Sequence, residues 1–330
     1  MKNKQYLLFK DFSTIIYIKA TTILSLIKTS YNKSLIHPET ISGLVQSDGS
    51  FTISIVKASS KLGFVLRPSF SIRLLPSSYP IIKAMKDYFG VGEIYITQKY
   101  VNYQVNNFMH LWHVIIPHFI KYPLHSRKHI SFVKFVTIMR LLLPYQNKIK
   151  PDLVIMKILV LLIDMNAGSA RNVDKIKYWL GKLSVKPVYN FTLLTDYLKP
   201  LLNISSYFLV GVIEGDGSFY FTVRNNNNIR FGFNISTNIE DIGLLYAIMG
   251  YLKVGYVQNF GTWARFNIEN NKVIENVMIP LVDNVGMLSS KRAKYQRFRK
   301  VFFMYKNKDH LTENGMNEIK ELVREMKKLK

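Results

Sequence analysis

The chain contains one short segment twice, and this internal duplication constrains its fold more than any other feature. Residues 43–51 read GLVQSDGSF, and residues 211–219 read GVIEGDGSF. In both copies an apolar stretch with helical character ends in an aspartate and a glycine, and alternating apolar and polar residues follow. A segment repeated in this way predicts two structurally similar halves.

The repeated aspartates, Asp48 and Asp216, are predicted to lie at the C-terminal ends of helices. That end of a helix carries unpaired carbonyls and a negative partial charge, so a carboxylate there is repelled unless a cation joins it. Two such helix ends brought together would form a divalent metal site.

Small residues recur four positions apart in each copy, and this spacing places them on one face of the predicted helix. They are Gly43 with Ser47 and Gly211 with Gly215. Side chains this small would let two helix backbones approach closely, and the two aspartates would then meet at one end of the contact.

Downstream of each copy, polar and apolar residues alternate with the period of a half-buried strand. The first half predicts strands at 50–55 and 67–74, a helix at 81–89, strands at 91–98 and 109–114, and a helix from 116. The second half repeats this order, with strands over 219–224 and 230–236, a helix at 241–252, and strands at 255–260 and 263–268. Each half is therefore predicted to have the order αββαββα.

An antiparallel sheet of this kind buries its apolar face under helices and leaves a polar face open to solvent. Arginine, asparagine and hydroxyl side chains on such a face can bind DNA base edges and phosphates. The candidate DNA-binding residues are Ser50, Thr52, Ser54, Arg67, Ser69, Ser71 and Arg73 in the first half, and Tyr220, Thr222, Arg224, Arg230, Asn234, Ser236, Arg265 and Asn267 in the second.

The charge balance favours a polyanionic partner. The 330 residues include 45 Lys and Arg against 21 Asp and Glu, which gives a net charge of +24. Nucleic acid is the leading candidate, and a solvated basic surface or an AT-rich codon bias is the alternative.

Residue usage excludes several other classes. Zero cysteines exclude a disulfide scaffold, thiol nucleophiles and cysteine zinc sites. No apolar run approaches the roughly 18 residues of a membrane-spanning helix. The seven histidines show no ligand spacing, and His110 and His113 are predicted to lie on opposite faces of a strand.

The two motif segments, Ile41 to Gly49 and Leu209 to Gly217, resemble the LAGLIDADG homing endonucleases and intron maturases in their monomeric, two-repeat form. The resemblance implies an α+β fold of two pseudo-symmetric αββαββα halves. Each half would contain an antiparallel, saddle-like sheet, and the halves would join through paired motif helices. Position six departs from the family name, with Gln46 in the first copy and Glu214 in the second.

The resemblance also implies the chemistry: a metal-dependent hydrolysis of both DNA strands. The acids at position eight, Asp48 and Asp216, would bind Mg²⁺, and the carbonyls of Ser47 and Gly215 would be further ligands. Mg²⁺ suits such oxygen donors.

The resemblance further implies basic residues near the scissile phosphates. Aligning residues 122–128 with 285–291 nominates Lys128 and Lys291, which occupy the same place in the two repeats. The alternatives are phosphate-anchoring or merely solvated lysines.

The predicted boundaries are a leader or upstream extension at 1–36, the first half at 37–150, linker helices at 151–200, the second half at 201–310 and a basic C-terminal helix at 311–330. The leader resembles a transit peptide or the remnant of an upstream exon, and both favour a mitochondrial origin. An RNA maturase that assists splicing of its own group I intron, with or without DNA cleavage, is the alternative to a DNA endonuclease. A nuclease-dead DNA-binding protein is a further alternative, which would predict the loss of an acid, whereas both acids are present.

Overall fold

The protein is described from a computed structural model that covers residues 36–60, 62–146, 148–166, 168–186, 204–224 and 228–328. The predicted leader lies outside the described residues except for Ile36, and so do residues 187–200 of the predicted linker. Within the described part of the chain, no helix is long and apolar enough to cross a membrane.

The first half begins with the motif helix and alternates pairs of strands with helices. Its elements are α1 (Pro38–Asp48), β1 (Gly49–Lys57), β2 (Phe64–Leu74), α2 (Tyr79–Phe89), β3 (Glu93–Ile96), β4 (Val101–Val105), α3 (Phe108–His110 and Ile116–Lys121, joined by the π-helical turn Leu111–Ile115) and α4 (Ser126–Leu142). Two further helices, α5 (Asp152–Met165) and α6 (Ala170–Leu180), follow and pack into the same hydrophobic core.

The second half repeats this order. Its elements are α7 (Ser206–Asp216), β5 (Gly217–Val223), β6 (Ile229–Asn238), α8 (Ile242–Leu252), β7 (Tyr256–Asn259), β8 (Trp263–Ile268), α9 (Asn271–Val273 and Ile279–Val285, joined by the π-helical turn Ile274–Met278) and α10 (Lys291–Lys306). The C-terminal helix α11 (Glu313–Lys328) buries Ile319 in the second core.

Each half contains one antiparallel sheet of four strands, with the matching orders β1-β2-β4-β3 and β5-β6-β8-β7. Side chains alternate between the faces, so Phe51 and Phe70 pack among helix residues while the intervening residues form the polar face. In the second half Phe219 and Phe233 occupy the matching places. The predicted α+β fold is confirmed.

The predicted strand at 109–114 is wrong, because this segment lies in α3 and the fourth strand is Val101–Val105. The side chain of Asn107 accepts hydrogen bonds from the backbone N–H groups of Met109 and His110 at 2.9 and 3.0 Å, which caps a helix. The largely apolar residues from Met109 to Val114 suit a short strand, but six residues were too few to outweigh this cap. His110 and His113 therefore lie on a helix, and each half ends in two helices rather than one.

Candidate catalytic centre and polar sheet surface

The centre of the molecule is the contact between the motif helices α1 and α7. A Cβ added to Gly43 would lie 2.0 Å from the carbonyl oxygen of Phe208, and one added to Gly211 would lie 2.2 Å from that of Thr40. The helix backbones therefore touch at the glycines, as the small-residue spacing predicts.

The contact brings the C-terminal ends of both helices together. Asp48 is the last residue of α1 and Asp216 the last of α7. A Cβ added to Gly215 would lie 2.9 Å from Oδ2 of Asp48 and 2.3 Å from Cβ of Ser47, so the end of α7 lies directly against Asp48. The predicted meeting of the two acids at one end of the helix contact is what the structure shows.

Two lysines lie against these helix ends. Nζ of Lys128 donates a hydrogen bond to the carbonyl oxygen of Gly49 at 2.6 Å, and Nζ of Lys291 donates to that of Gly217 at 2.8 Å. Lys291 also donates to the carbonyl of Gly215. The Lys291 ammonium thus satisfies a carbonyl that a helix leaves unpaired at its C-terminus, whereas Lys128 binds the first carbonyl of the strand that follows its motif helix.

The electrostatics of the site favour a bound cation. Desolvation raises the pKa of Asp48 to about 6, repulsion by Asp216 adds to the rise, and the two lysines oppose it. Desolvation also raises the pKa of Asp216, while a hydrogen bond from the Ser47 hydroxyl lowers it. Both aspartates are exposed at the surface, so an ion from solution can reach them.

The donor set fits a hard divalent cation that keeps part of its water shell. Within the described residues, no cluster of three or more acidic or histidine side chains could form a closed metal cage. Two carboxylates at neighbouring helix ends, beside backbone carbonyls, provide the oxygen ligands that Mg²⁺ accepts. Of the two carbonyls predicted as metal ligands, that of Gly215 accepts a hydrogen bond from the Lys291 ammonium.

The residues at position six of the motif anchor the segments that precede the lysines. Oε1 of Gln46 accepts the backbone N–H of His125 at 2.8 Å. The carboxylate of Glu214 accepts the backbone N–H groups of Leu288 and Ser289, the latter at 3.1 and 3.2 Å. Both acceptors are buried, so their hydrogen bonds are shielded from water.

The polar residues predicted in the first half form one continuous surface. Ser50 pairs with Ser71, Thr52 with Ser69, and Ser54 with Arg67 across β1 and β2. Ser69 is the buried member, and its hydroxyl accepts a hydrogen bond from Nε2 of Gln104 at 3.1 Å. The guanidinium of Arg73 lies 4.3 Å from the ring centroid of Tyr100, which fixes its direction.

The second polar surface holds its charged side chains in local contacts. Arg230 is ion-paired with Glu269 at 2.5 Å, and Tyr220 donates to the same carboxylate at 3.3 Å. Nε of Arg265 donates to Oγ of Ser236 at 3.1 Å.

The remaining predicted residues of this surface differ in exposure. Thr222 and Arg224 are exposed, Asn234 is half-buried, and Asn267 is buried with its amide donating to Gln258 at 3.1 Å.

Sequence reasoning missed the polar residues of β4, because it placed that strand too late in the chain. Asn102 pairs with Arg73, and Gln104 pairs with Ser71, so both side chains belong to the polar face. The signal was present in the alternation of Val101, Tyr103 and Val105 with these two amides.

A cavity of about 550 Å³ lies beside the first sheet and connects it with the catalytic centre. Its lining includes Thr52, Lys128, Lys175 and Asp241. Lys175 comes from α6, and its ammonium donates to the carbonyl of Ile55 at 3.0 Å on the free edge of β1. The linker helices therefore add a basic side chain to this surface, which the sequence did not indicate.

Two matched αββαββ halves, with paired acids at the helix contact and open polar sheets, define a two-repeat protein with one central carboxylate site. The family model for LAGLIDADG endonucleases matches residues 41–139 and 209–302, more than half of the chain. The chain belongs to the LAGLIDADG endonuclease family. The predicted family, fold class and endonuclease activity are thereby confirmed.

Curated relatives cover most of the chain. A probable intron-encoded endonuclease 2 of Neurospora crassa is 26% identical over 95% of this chain and 69% of its own length. A probable intron-encoded DNA endonuclease 1 of Mycosarcoma maydis is 28% identical over 74% of this chain and 91% of its own length. Shorter matches include proteins of the ND4 intron 1 of Podospora anserina and the cox1 intron 2 of Schizosaccharomyces pombe.

Solved structures share the whole architecture. I-LtrWI bound to target DNA superposes with a TM-score of 0.74 at 29% identity, over 86% of this chain and 95% of that one. I-GzeII in complex with a DNA target gives 0.75 at 25% identity, over 87% and 97%. I-SmaMI bound to uncleaved DNA in the presence of calcium ions gives 0.74 at 23% identity, over 87% and 97%.

Proposed function

We propose that the chain is a homing endonuclease that hydrolyses one phosphodiester bond in each strand of a long, asymmetric DNA site with Mg²⁺ as cofactor. The observation that carries the proposal is the placement of Asp48 and Asp216 at the contact of the motif helices, between two polar sheets. DNA bound along both sheets would present its two backbones to this centre.

The two carboxylates would hold the divalent metal, and the carbonyl of Ser47 is a further candidate ligand. The metal would supply an activated water and would neutralise charge on the scissile phosphate. The raised pKa of each acid supports this role, because a bound cation would stabilise the ionised carboxylate that desolvation disfavours.

Lys128 and Lys291 are proposed to stabilise charge that develops on the transferring phosphates. Both are anchored by carbonyls at the helix ends and held close to the aspartates. Desolvation lowers the pKa of each lysine, and the nearby carboxylates oppose this fall.

The polar faces are proposed to read the DNA sequence in the major groove. Strands fit that groove, and arginine and amide side chains distinguish its base edges. The two faces differ in sequence, so an asymmetric target is expected. The predicted residues are joined here by Asn102 and Gln104, which share the first face.

The intron-encoded relatives support an origin in a mitochondrial intron. Two of them are proteins of introns in ND4 and cox1. We propose a mitochondrial location for the chain on this basis. The net charge of +24 suits RNA as well as DNA, so maturase activity on the host intron is the second candidate.

The test is selection from a randomised duplex DNA library in Ca²⁺, followed by transfer of the enriched pool to Mg²⁺ and mapping of cut ends. We expect enrichment of one site and cutting of both strands near its centre. Enrichment without cutting would leave a DNA-binding protein, and a selection that enriches no DNA at all would favour the maturase.

Variants then test the catalytic assignment. Asp48→Asn and Asp216→Asn should each abolish double-strand cleavage while binding in Ca²⁺ persists. The matched control is Asp87→Asn, which removes an exposed carboxylate paired with Lys83 on α2. Full cleavage by either catalytic-site variant would contradict the metal assignment.

A further inference from the structure

The N-termini of the two lysine-bearing helices, α4 and α10, are not capped by the side chains of their own N-cap residues, His125 and Ser290. Lys128 lies in the first turn of α4, and Lys291 is the first residue of α10. The direction of each ammonium therefore depends on how its helix begins.

The start of α4 is fixed from the second half. Oδ1 of Asp241, at the end of the short helix before α8, accepts the backbone N–H of Arg127 at 2.9 Å. The neighbouring Glu240 forms an ion pair with the side chain of Arg127. Asp241 also lies close enough to Lys128 to attract its charge.

The start of α10 is fixed from the first half at the equivalent place. Ser78 ends the short helix before α2, as Asp241 does before α8. Its hydroxyl accepts the backbone N–H of Ser290 at 3.1 Å, and the two serine hydroxyls lie 3.1 Å apart. The arrangement thus occurs twice, in opposite directions across the interface between the halves.

We propose that Asp241 and Ser78 are positioning residues, each of which orients the lysine of the opposite half. The inference rests on the proposed roles of Lys128 and Lys291. Each lysine would then be correctly placed only when the opposite half is correctly docked, and this requirement couples the cutting of the two strands.

The backbone at α4 shows why the cap is needed. Ser126 has a φ of 47°, a left-handed conformation that is unfavourable for serine. The residues on either side are both held by side chains, since His125 donates to Gln46 and Arg127 donates to Asp241. Without Asp241, one of the two anchors that keep Ser126 in this conformation is absent.

The test measures single-turnover cleavage of the selected target with separate labels on the two strands, using the full chain. Lys128→Met and Lys291→Met first establish which strand depends on which lysine. Asp241→Ala should then slow the Lys128-dependent strand by about 10-fold to 100-fold, the range expected from misplacing a catalytic group by up to 1 Å. Ser78→Ala should slow the other strand in the same way.

Two further variants separate positioning from folding. Asp241→Asn provides an amide oxygen as acceptor in place of the carboxylate oxygen. It should restore the rate to within about 3-fold of wild type, because the hydrogen bond and not the charge sets the position of Lys128. Asp87→Ala removes an exposed carboxylate that pairs with Lys83 on α2 and should leave both strands unaffected.

The difference in cleavage rate between the two DNA strands decides whether the inference holds. Equal slowing of both strands by Asp241→Ala, or no slowing, would overturn the inference. Wild-type rates on both strands for Lys128→Met and Lys291→Met would overturn the lysine assignment itself, and with it the inference.

Discussion

The contact between the motif helices should not tolerate a single added methyl group at Gly43. A Cβ there would lie 2.0 Å from the carbonyl oxygen of Phe208 and 2.9 Å from Cα of Gly211. The obstacle is backbone, which cannot rotate away, so Gly43→Ala has to push α1 and α7 apart.

The expected cost follows from opposing terms. Overpacking costs typically about 1–3 kcal/mol, and a backbone obstacle places Gly43→Ala at the upper end. Replacing a helical glycine by alanine stabilises the helix by about 0.5–1 kcal/mol, which offsets part of this cost. The net loss is therefore about 2 kcal/mol, which lowers Tm by about 4–8 °C for a domain of this size.

The control is Gly250→Ala on α8, where an added Cβ meets nothing within 4 Å and the residue is exposed. This variant should be as stable as wild type or slightly more stable. Differential scanning calorimetry in metal-free buffer measures both. Cleavage should also fall for Gly43→Ala, because separating the helices displaces Asp48 from Asp216. A Gly43→Ala variant with the Tm and cleavage rate of wild type would refute the close-contact reasoning.

Three further predictions concern charge and buried hydrogen bonds. In metal-free buffer, Asp48→Asn should stabilise the protein by about 1 kcal/mol above about pH 6 and not at all below about pH 4. The reason is that the folded wild-type protein loses stability as the Asp48 carboxyl, whose pKa is raised from 3.8 to about 6, ionises over that window. The effect stays small because this carboxyl is exposed to solvent. Urea titrations across pH measure this, and a pH-independent difference would refute it. DNA affinity should fall with salt at a log–log slope of about −5, as expected for about six neutralised phosphates, and a flat dependence would argue against binding along the sheets. Glu214→Ala should cost about 2–4 kcal/mol in chemical denaturation, since it leaves the half-buried N–H group of Leu288 and the buried N–H group of Ser289 without an acceptor. Glu214→Gln should recover most of this, as Gln46 accepts in the same way, and an equal loss in both variants would contradict the assignment.

Local patterns in the sequence were sufficient to predict much of the fold. The period-two alternation around Phe51 and Phe219 identified the strands that carry the polar faces. The helix contact was identified by the small residues four positions apart in each motif helix, which begin at Gly43 and Gly211. The largely apolar segment at 109–114 was misleading, because the cap from Asn107 decides that segment and a six-residue apolar run fits a strand or a helix equally well.

Within the site, the sequence determined which groups lie at the ends of the motif helices, because a helix and its following strand are set by neighbouring residues. The two acids could be named on that basis, whereas the two lysines were named from the family resemblance and the matching repeats. Only the tertiary structure decided what each group contacts. That Gln46 and Glu214 anchor the lysine segments, and that Asp241 and Ser78 reach across to the opposite half, depends on residues brought together from distant parts of the chain. Hydrogen bonds of this kind leave no periodic trace in the sequence, since they require only one acceptor at the right point in space.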